Sequence, residues 1–362
     1  MALERGDRVA LLTSGGDAPG MNAALRGAAR VGSELGLEML GVVDGYAGLL
    51  EGRVVPLELR ELDEASRRGG TVLGTARSKV FPTADGQARA RAAIAKANLR
   101  GLLVIGGNGS LAGARSLLDV RTDAGPLVIG GVPASIDNDL ACTSMSIGVD
   151  TALNTIVEAV DRLADTATAH RRAFIIEVMG RDCGYLAMTS SIASGADVVL
   201  IRETGRSEEQ LIDQVVRAME HVFTDVQKRR VLVIKAEGVR VESHRLKEAV
   251  DARIAKSLPD VDTRVTVLGH VVRGGSPSAF DRLLGARLAN AAIRSMAAGE
   301  SGLMAGWLGP GIKRAACAYD PYVVMSPIDE VLAETALLMD GESELAKWRR
   351  RTFQEIDPIL SR

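Results

Sequence analysis

One unit recurs along the 362 residues and restricts the fold more than any other feature: an apolar run, a glycine loop, then a helix-compatible segment. Val9-Ala10-Leu11-Leu12 runs into Thr13-Ser14-Gly15-Gly16-Asp17-Ala18-Pro19-Gly20-Met21-Asn22 and then Ala23 to Arg30. Leu102-Leu103-Val104-Ile105 runs into Gly106-Gly107-Asn108-Gly109-Ser110 and then Leu111 to Leu118. Phe174-Ile175-Ile176-Glu177-Val178 runs into Met179-Gly180-Arg181-Asp182-Cys183-Gly184 and then Tyr185 to Ser191. Strands that alternate with helices imply parallel sheets in an α/β arrangement. Val231-Leu232-Val233-Ile234 and Val265-Thr266-Val267-Leu268 extend the pattern into the second half.

The length exceeds what one hydrophobic core usually serves, so about two domains are expected. Thr151 to Asp165, with Leu153, Ile156, Val157, Val160 and Leu163 at helical spacing, reads as a helix joining two sheets or packing between them. The first boundary then falls near Asp139 to Asp150. A formal net charge of −2 and an aromatic content of 3% supply neither the electrostatic footprint nor the stacking platforms of a nucleic-acid binder. The charged start Met1 to Arg8 is not a signal peptide, and no apolar run is long enough to span a bilayer, which predicts a cytoplasmic protein. Cys142, Cys183 and Cys317 are odd in number and widely spaced, which fits ordinary thiols in a reducing compartment.

The chemistry is most visible in Gly131-Val132-Pro133-Ala134-Ser135-Ile136-Asp137-Asn138-Asp139, which follows the apolar run Leu127 to Gly130. The glycines and the proline mark where that strand stops. Ligands of parallel sheets sit beyond the carboxyl ends of the strands, so Asp137 and Asp139 would project into a site. In an extended loop, one carboxylate takes a proton while the other faces a metal; an Asx-rich turn is the plainer alternative. Gly15-Gly16 and Gly106 to Ser110 read as phosphate cradles or as simple turns, and neither fits the P-loop or the dinucleotide fingerprint. Arg77, Arg171, Arg172, Arg181, Arg264 and Arg273 lie near these loops or strand ends, where guanidinium groups suit phosphorylated ligands. His270 follows a probable strand and suits a phosphate contact, a base or a structural role. Nothing is assigned to His170, His221 or His244.

Taken in order, Ser14 to Asn22, Gly69-Gly70-Thr71, Ile105-Gly106-Gly107, Ser135 to Asp139, Glu177 to Arg181 and Leu268 to Pro277 resemble the ATP-dependent 6-phosphofructokinases, over roughly Val9 to Arg282. The resemblance implies two Rossmann-like three-layer α/β domains with mostly parallel sheets and an active site in the cleft between them. The larger, ATP-binding domain is expected at 1–145 plus about 272–325, and the smaller, sugar-phosphate domain at about 146–271 plus 326–362. It implies Mg²⁺-dependent transfer of the ATP γ-phosphoryl to the 1-hydroxyl of fructose 6-phosphate. In that reading Asp137 is the base, Asp139 assists near the metal, Ser135 lies near the transferred group and Arg181 stabilises its charge. Gly16, Tyr46, Arg77, Asn108, Gly109 and Ser110 match ATP contacts, and Asn108 and Asp139 match metal positions. Met179, Gly180 and Glu237 match sugar contacts, and His270 and Arg273 match groups on the 6-phosphate. Arg172 and Arg264 match arginines that reach this phosphate from a neighbouring subunit, so the resemblance implies an oligomer, commonly a homotetramer.

Two positions depart from the family pattern. Asn108 stands where the family carries an Asp acting on the nucleotide's metal, and an amide brings no charge. Weaker metal–nucleotide binding, lower turnover or another use of the site follows, which keeps a regulatory or ligand-binding paralogue as the alternative reading. Ala164 and Val226 replace two basic residues of the family's effector pocket, whereas Arg26, Arg30 and Lys228 fit it; regulation by ADP or phosphoenolpyruvate is therefore not expected. Gly109 and Ala134 leave open the space that pyrophosphate-dependent relatives fill with Asp and Lys, which favours ATP. Ile136 to Asp139 separates the chain from NAD and lipid kinases. Fructose 6-phosphate and sedoheptulose 7-phosphate are not distinguished by these residues.

Overall fold

In the computed structural model of the chain, which describes residues 1–309 and 314–360, the apolar runs pair into two main sheets and a short hairpin. The strands are β1 (Arg8–Ser14), β2 (Glu38–Val42), β3 (Val54–Pro56), β4 (Leu99–Gly106), β5 (Arg121–Thr122), β6 (Gly125–Pro126) and β7 (Val128–Pro133). They continue with β8 (Arg172–Val178), β9 (Val198–Leu200), β10 (Val231–Ala236), β11 (Asp262–Val267), β12 (Leu303–Trp307) and β13 (Val323–Pro327). The first sheet has seven strands in the order β13-β12-β7-β4-β1-β2-β3, and the second has four in the order β11-β8-β10-β9. Pairing is parallel except at the two edges of the first sheet, where β12–β13 and β2–β3 are antiparallel.

The chain divides into two compact units, residues Met1–Thr151 with Arg273–Leu338, and Ala152–Val272 with Met339–Arg362. The first crossing lies inside the helix Val149–His170, later than the expected 145. The last lies at Met339 and not at 326, because β13 pairs with β12 and the helix Ile328–Met339 buries Ile328 and Val331 in the first unit's core.

In the first unit, Ala10, Leu12, Leu40, Val42, Leu102, Val104 and Ile129 share a core with Tyr46, Leu49, Ile94 and Leu111. Those four sit on the helices Gly45–Leu50, Ala84–Lys96 and Asn108–Arg115. Burying each such aliphatic side chain contributes roughly 1.5–3 kcal/mol. The opposite face packs against the helix Ala279–Ala297, whose Met296 lies where a side chain at Gly130 would go, 2.6 Å from the missing Cβ. This explains how β7 runs through Gly130 and Gly131, the first of the expected stop signals, and ends at Pro133, the last of them: its glycines make room for helices on both faces. In the second unit all six residues of β10 are buried. No helix among the described residues is long and apolar enough to cross a membrane.

Candidate active site

The order of the first sheet reverses at β1, with β2 on one side and β4, then β7, on the other. Such a switch point opens a crevice at the carboxyl ends of the strands. The loops after β1, β4 and β7 converge there. A Cβ on Gly15 would lie 3.3 Å from Ser110 Oγ, and one on Gly107 would lie 3.9 Å from Ser135 Cβ. The Ala134 N–H donates to the Gly106 carbonyl at 3.0 Å, tying the second loop to the third.

The helix after β4 starts earlier than expected, at Asn108 with Gly107 as its N-cap, so Asn108, Gly109 and Ser110 form its first turn. Asn108 and Gly109 are exposed, and a Cβ on Gly109 would meet nothing within 4 Å. Their N–H groups stand at the positive end of the helix dipole. Ser110 is 2% exposed, and its Oγ faces the Gly15 and Gly106 backbone, so its side chain packs beneath the cradle. Tyr46 is 5% exposed, stacks on Phe81 with centroids 4.0 Å apart, and donates its hydroxyl to the Ser110 carbonyl at 2.7 Å. Burial pushes the Tyr46 phenol well above its ordinary pKa. The Tyr46 and Ser110 side chains therefore support the turn from below, and of the expected nucleotide contacts on this turn only Asn108 and Gly109 are exposed. Gly16 is exposed beside Arg273, whose Nη1 donates to the Asp17 carbonyl at 3.2 Å. Arg77 is exposed.

The segment after β7 is not extended, contrary to one of the two readings of it. Residues Ile136 and Asp137 form a turn, and Asn138 takes the left-handed conformation at φ 50°. Asn138 is 1% exposed; its Nδ2 donates to the Ser144 carbonyl at 3.1 Å and its Oδ1 accepts from the Ser146 N–H at 3.0 Å. The turn brings Ser135 back onto Asp139, with its Oγ donating to Asp139 Oδ1 at 2.7 Å. Asp137 and Asp139 are both half-buried.

In the second unit, the carboxyl ends of β8, β10 and β11 are joined by the main chain. The Glu237 N–H donates to the Val178 carbonyl at 2.9 Å, Gly238 to Gly180 at 3.3 Å and Leu268 to Glu177 at 3.0 Å. This brings Met179, Gly180, Glu237 and the turn Gly269–Arg273, with His270, to one end of the sheet. Met179 is buried, whereas Arg181, Glu237 and His270 are exposed. Gly180 has φ 121°, and a Cβ there would sit 2.5 Å from the Cys183 carbonyl oxygen. Arg172 and Arg264 are not part of this group. Arg172 opens β8, six residues from Val178, which at the rise of a strand is about 20 Å. Both arginines pair with Asp262, Arg172 at 3.4 Å and Arg264 at 2.5 Å, on the edge strand β11.

Two supporting residues were given no role from the sequence, although Asn22 closes the Ser14–Asn22 stretch. Asp281, fully buried, accepts from the N–H groups of Gly148 and Thr151 at 2.8 Å each and from the Thr151 hydroxyl at 2.6 Å. It thereby fixes the segment that follows the Asp137 turn; burial pushes its carboxyl pKa up against the pull of those bonds. Asn22 bonds the Arg68 and Gly69 carbonyls and the Val72 N–H, holding the Gly69–Thr71 loop to the start of the first helix. A partner 130 residues away in sequence leaves no local pattern by which Asp281 would have been found.

A sequence profile of the family described as phosphofructokinase matches residues 8–296. An ATP-dependent 6-phosphofructokinase of Natranaerobius thermophilus is 44% identical over 299 residues, 83% of this chain and 89% of its own length. ATP-dependent 6-phosphofructokinase 1 of Thermus thermophilus is similar to the same degree, 44% over 299 residues with the same coverage of both chains. A solved phosphofructokinase of Saccharomyces cerevisiae superposes with a TM-score of 0.80 at 31% identity over 93% of this chain; the chain spans about half of that longer protein, 47%. The profile, the relatives and the superposition agree with the loops described above, and the chain belongs to the phosphofructokinase family.

Proposed function

We propose that the chain transfers the γ-phosphoryl group of ATP to the 1-hydroxyl of fructose 6-phosphate, giving fructose 1,6-bisphosphate and ADP, a glycolytic step in the cytoplasm. The observation that carries this reading is the convergence of three strand-end loops at the first sheet's switch point, with Ser135 and Asp139 beside the exposed N-terminus of the helix Asn108–Arg115. The Asn108 and Gly109 N–H groups, with Gly16 and Arg77, hold the nucleotide phosphates, while Tyr46 and Ser110 keep the turn in place. Asp137 takes the proton as the sugar 1-oxygen forms its bond to the γ-phosphorus and the bond to the β-phosphate oxygen breaks. Arg181 neutralises the charge that develops on the transferring group. Met179, Gly180, Glu237, His270 and Arg273 hold the sugar phosphate.

The Asp139 carboxylate and the Asn108 amide oxygen are hard donors, and one or two such groups plus substrate phosphates are what Mg²⁺ usually takes. When bound, the ion would neutralise charge on the phosphates. Open space above Gly109 and the small side chain of Ala134 favour a nucleotide donor over pyrophosphate. The place of Arg264 on the edge strand β11 and of Arg172 at the start of the neighbouring β8, both held by Asp262 and apart from the other proposed phosphate ligands, supports their serving a neighbouring copy in a homotetramer.

Asn108 favours one second reading, a weakened paralogue that binds these ligands and regulates, because the site loses a negative charge at the metal. A coupled ADP-release assay with fructose 6-phosphate and sedoheptulose 7-phosphate, each with ATP and with pyrophosphate, decides. Turnover with ATP and fructose 6-phosphate is expected. Binding of both ligands without turnover would establish the second reading instead.

A further inference from the structure

Lys235 is the largest of the fully buried side chains among the described residues, 1% exposed in the middle of the second sheet. On β10 it lies in register with Glu177 of β8, and its Nζ donates to Glu177 Oε2 at 2.9 Å. The same oxygen accepts from the Ser243 hydroxyl at 2.5 Å, at the first residue of the helix Ser243–Ile254. Ser243 is itself 2% exposed. Ordinary packing does not call for this arrangement, since buried lysines are rare and an apolar pair of similar volume usually holds two strands at lower cost. What an ion pair adds is direction: two charges screened far less than at the surface fix the lateral and axial offset of the strands that carry them.

Those strands end in the residues read above as sugar contacts. Met179 follows Glu177 by two positions and Glu237 follows Lys235 by two, each the first residue beyond its strand, and the Glu237 N–H donates to the Val178 carbonyl at 2.9 Å. The Glu177 carbonyl also accepts from Leu268 at 3.0 Å, just before the His270 turn. One glutamate therefore joins all three segments. We propose that the pair of buried Lys235 and half-buried Glu177, with Ser243 as its third anchor, is a positioning device that fixes the spacing of the Met179 and Glu237 loops and thereby the affinity for the sugar phosphate. The proposal rests on the reading of Met179, Gly180 and Glu237 as sugar contacts.

Either single variant leaves a charge unpaired, buried Lys235 in Glu177→Gln and half-buried Glu177 in Lys235→Met, and risks unfolding, so the test uses the double variant, which removes both charges at similar volume. Ser243→Ala, which keeps the pair but removes its anchor, is the second. Steady-state kinetics for each substrate are combined with amide hydrogen exchange over residues 178–184 and 236–240 of the full chain. In the double variant the KM for fructose 6-phosphate should rise roughly 10- to 100-fold, the scale expected for a misplacement near 1 Å, while the KM for ATP stays the same. Exchange in the two loops should accelerate. Ser243→Ala should move both readouts in the same direction by less. A purely structural role would lower the amount of folded enzyme without separating the two KM values, and that result overturns the proposal. If the wild type fails to phosphorylate fructose 6-phosphate, the functional reading is what has failed; exchange then decides the pair on its own, faster loops supporting it and unchanged loops overturning it.

Discussion

Asp137 and Asp139 lie one residue apart, and Asn138 between them decides what each can do. With its φ of 50° and both amide atoms bonded, Asn138 turns the chain so that Asp139 meets Ser135. The two carboxylates therefore have different surroundings and suit different tasks. Asp137→Asn should lower kcat by about 10²–10⁴-fold with little change in sugar-phosphate KM, since a general base acts mainly in the transition state. Near-normal kcat would remove Asp137 from the role. Asn108 is exposed at the helix start, so Asn108→Asp can be accommodated without repacking. Titration of turnover against free Mg²⁺ and against ATP should show tighter metal dependence and higher kcat/KM for ATP, each tenfold gain corresponding to ~1.4 kcal/mol. A loss would mean that the amide is a working part of the site. At this scale the chemistry of the side chains was legible in the sequence, and an Asx-rich turn was one of its two readings; the choice between them was not, because it depends on the Ser144 carbonyl accepting from the Asn138 amide and the Ser146 N–H donating to it.

The element that matters most is the junction of β4 with the helix Asn108–Arg115, where two glycines have different work. A Cβ on Gly106 would collide with the Ser14 carbonyl and lie 2.5 Å from Ser110 Oγ, whereas one on Gly109 meets nothing. Gly106→Ala should therefore destabilise the fold by roughly 1–3 kcal/mol, the range of overpacking, seen as a lower Tm. Gly109→Ala should leave Tm unchanged and raise the KM for ATP, because the added methyl enters the open space above the turn proposed to hold the nucleotide phosphates. Equal effects of the two on Tm would contradict this division. In the second sheet, desolvation pushes the Glu177 carboxyl up, but the bonds from Ser243 and Lys235 outweigh it and hold the pKa below its ordinary 4.5. A depressed carboxylate pKa contributes stability that is fully present above the unfolded value and is lost as pH falls through the folded one. The gap in urea stability between wild type and Glu177→Gln should thus be widest above pH 4.5 and close at lower pH. A gap independent of pH would show that Glu177 is not ionised in the folded chain.

For the molecule as a whole, Arg172 and Arg264 share Asp262 at the edge of the second sheet and not at its carboxyl end. If they complete a neighbour's site, dissociation by dilution should raise the KM for fructose 6-phosphate far more than that for ATP. Sedimentation and kinetics over the same concentration range check this. A monomer with unchanged KM for the sugar would confine both arginines to structural work. Asp262 gives each a partner within its own chain, so a phosphate that recruits them must compete with that carboxylate.

The sequence by itself determined the α/β class, the strands that end in functional loops and the chemical identity of the candidate groups. Each of these is written locally, in alternating apolar runs, glycines and charged side chains a few residues apart. Only the tertiary structure decided the rest. It buried the Tyr46 and Ser110 side chains beneath the first turn of the helix Asn108–Arg115, carried β7 through two glycines because Met296 and Leu111 occupy the space beside them, and kept the chain in the first unit until Leu338. It also set Asp281 under a loop 130 residues away and buried a lysine against Glu177. These outcomes depend on what packs against a residue from distant parts of the chain, and burial, which sets both pKa and reach, is not a property of the local sequence.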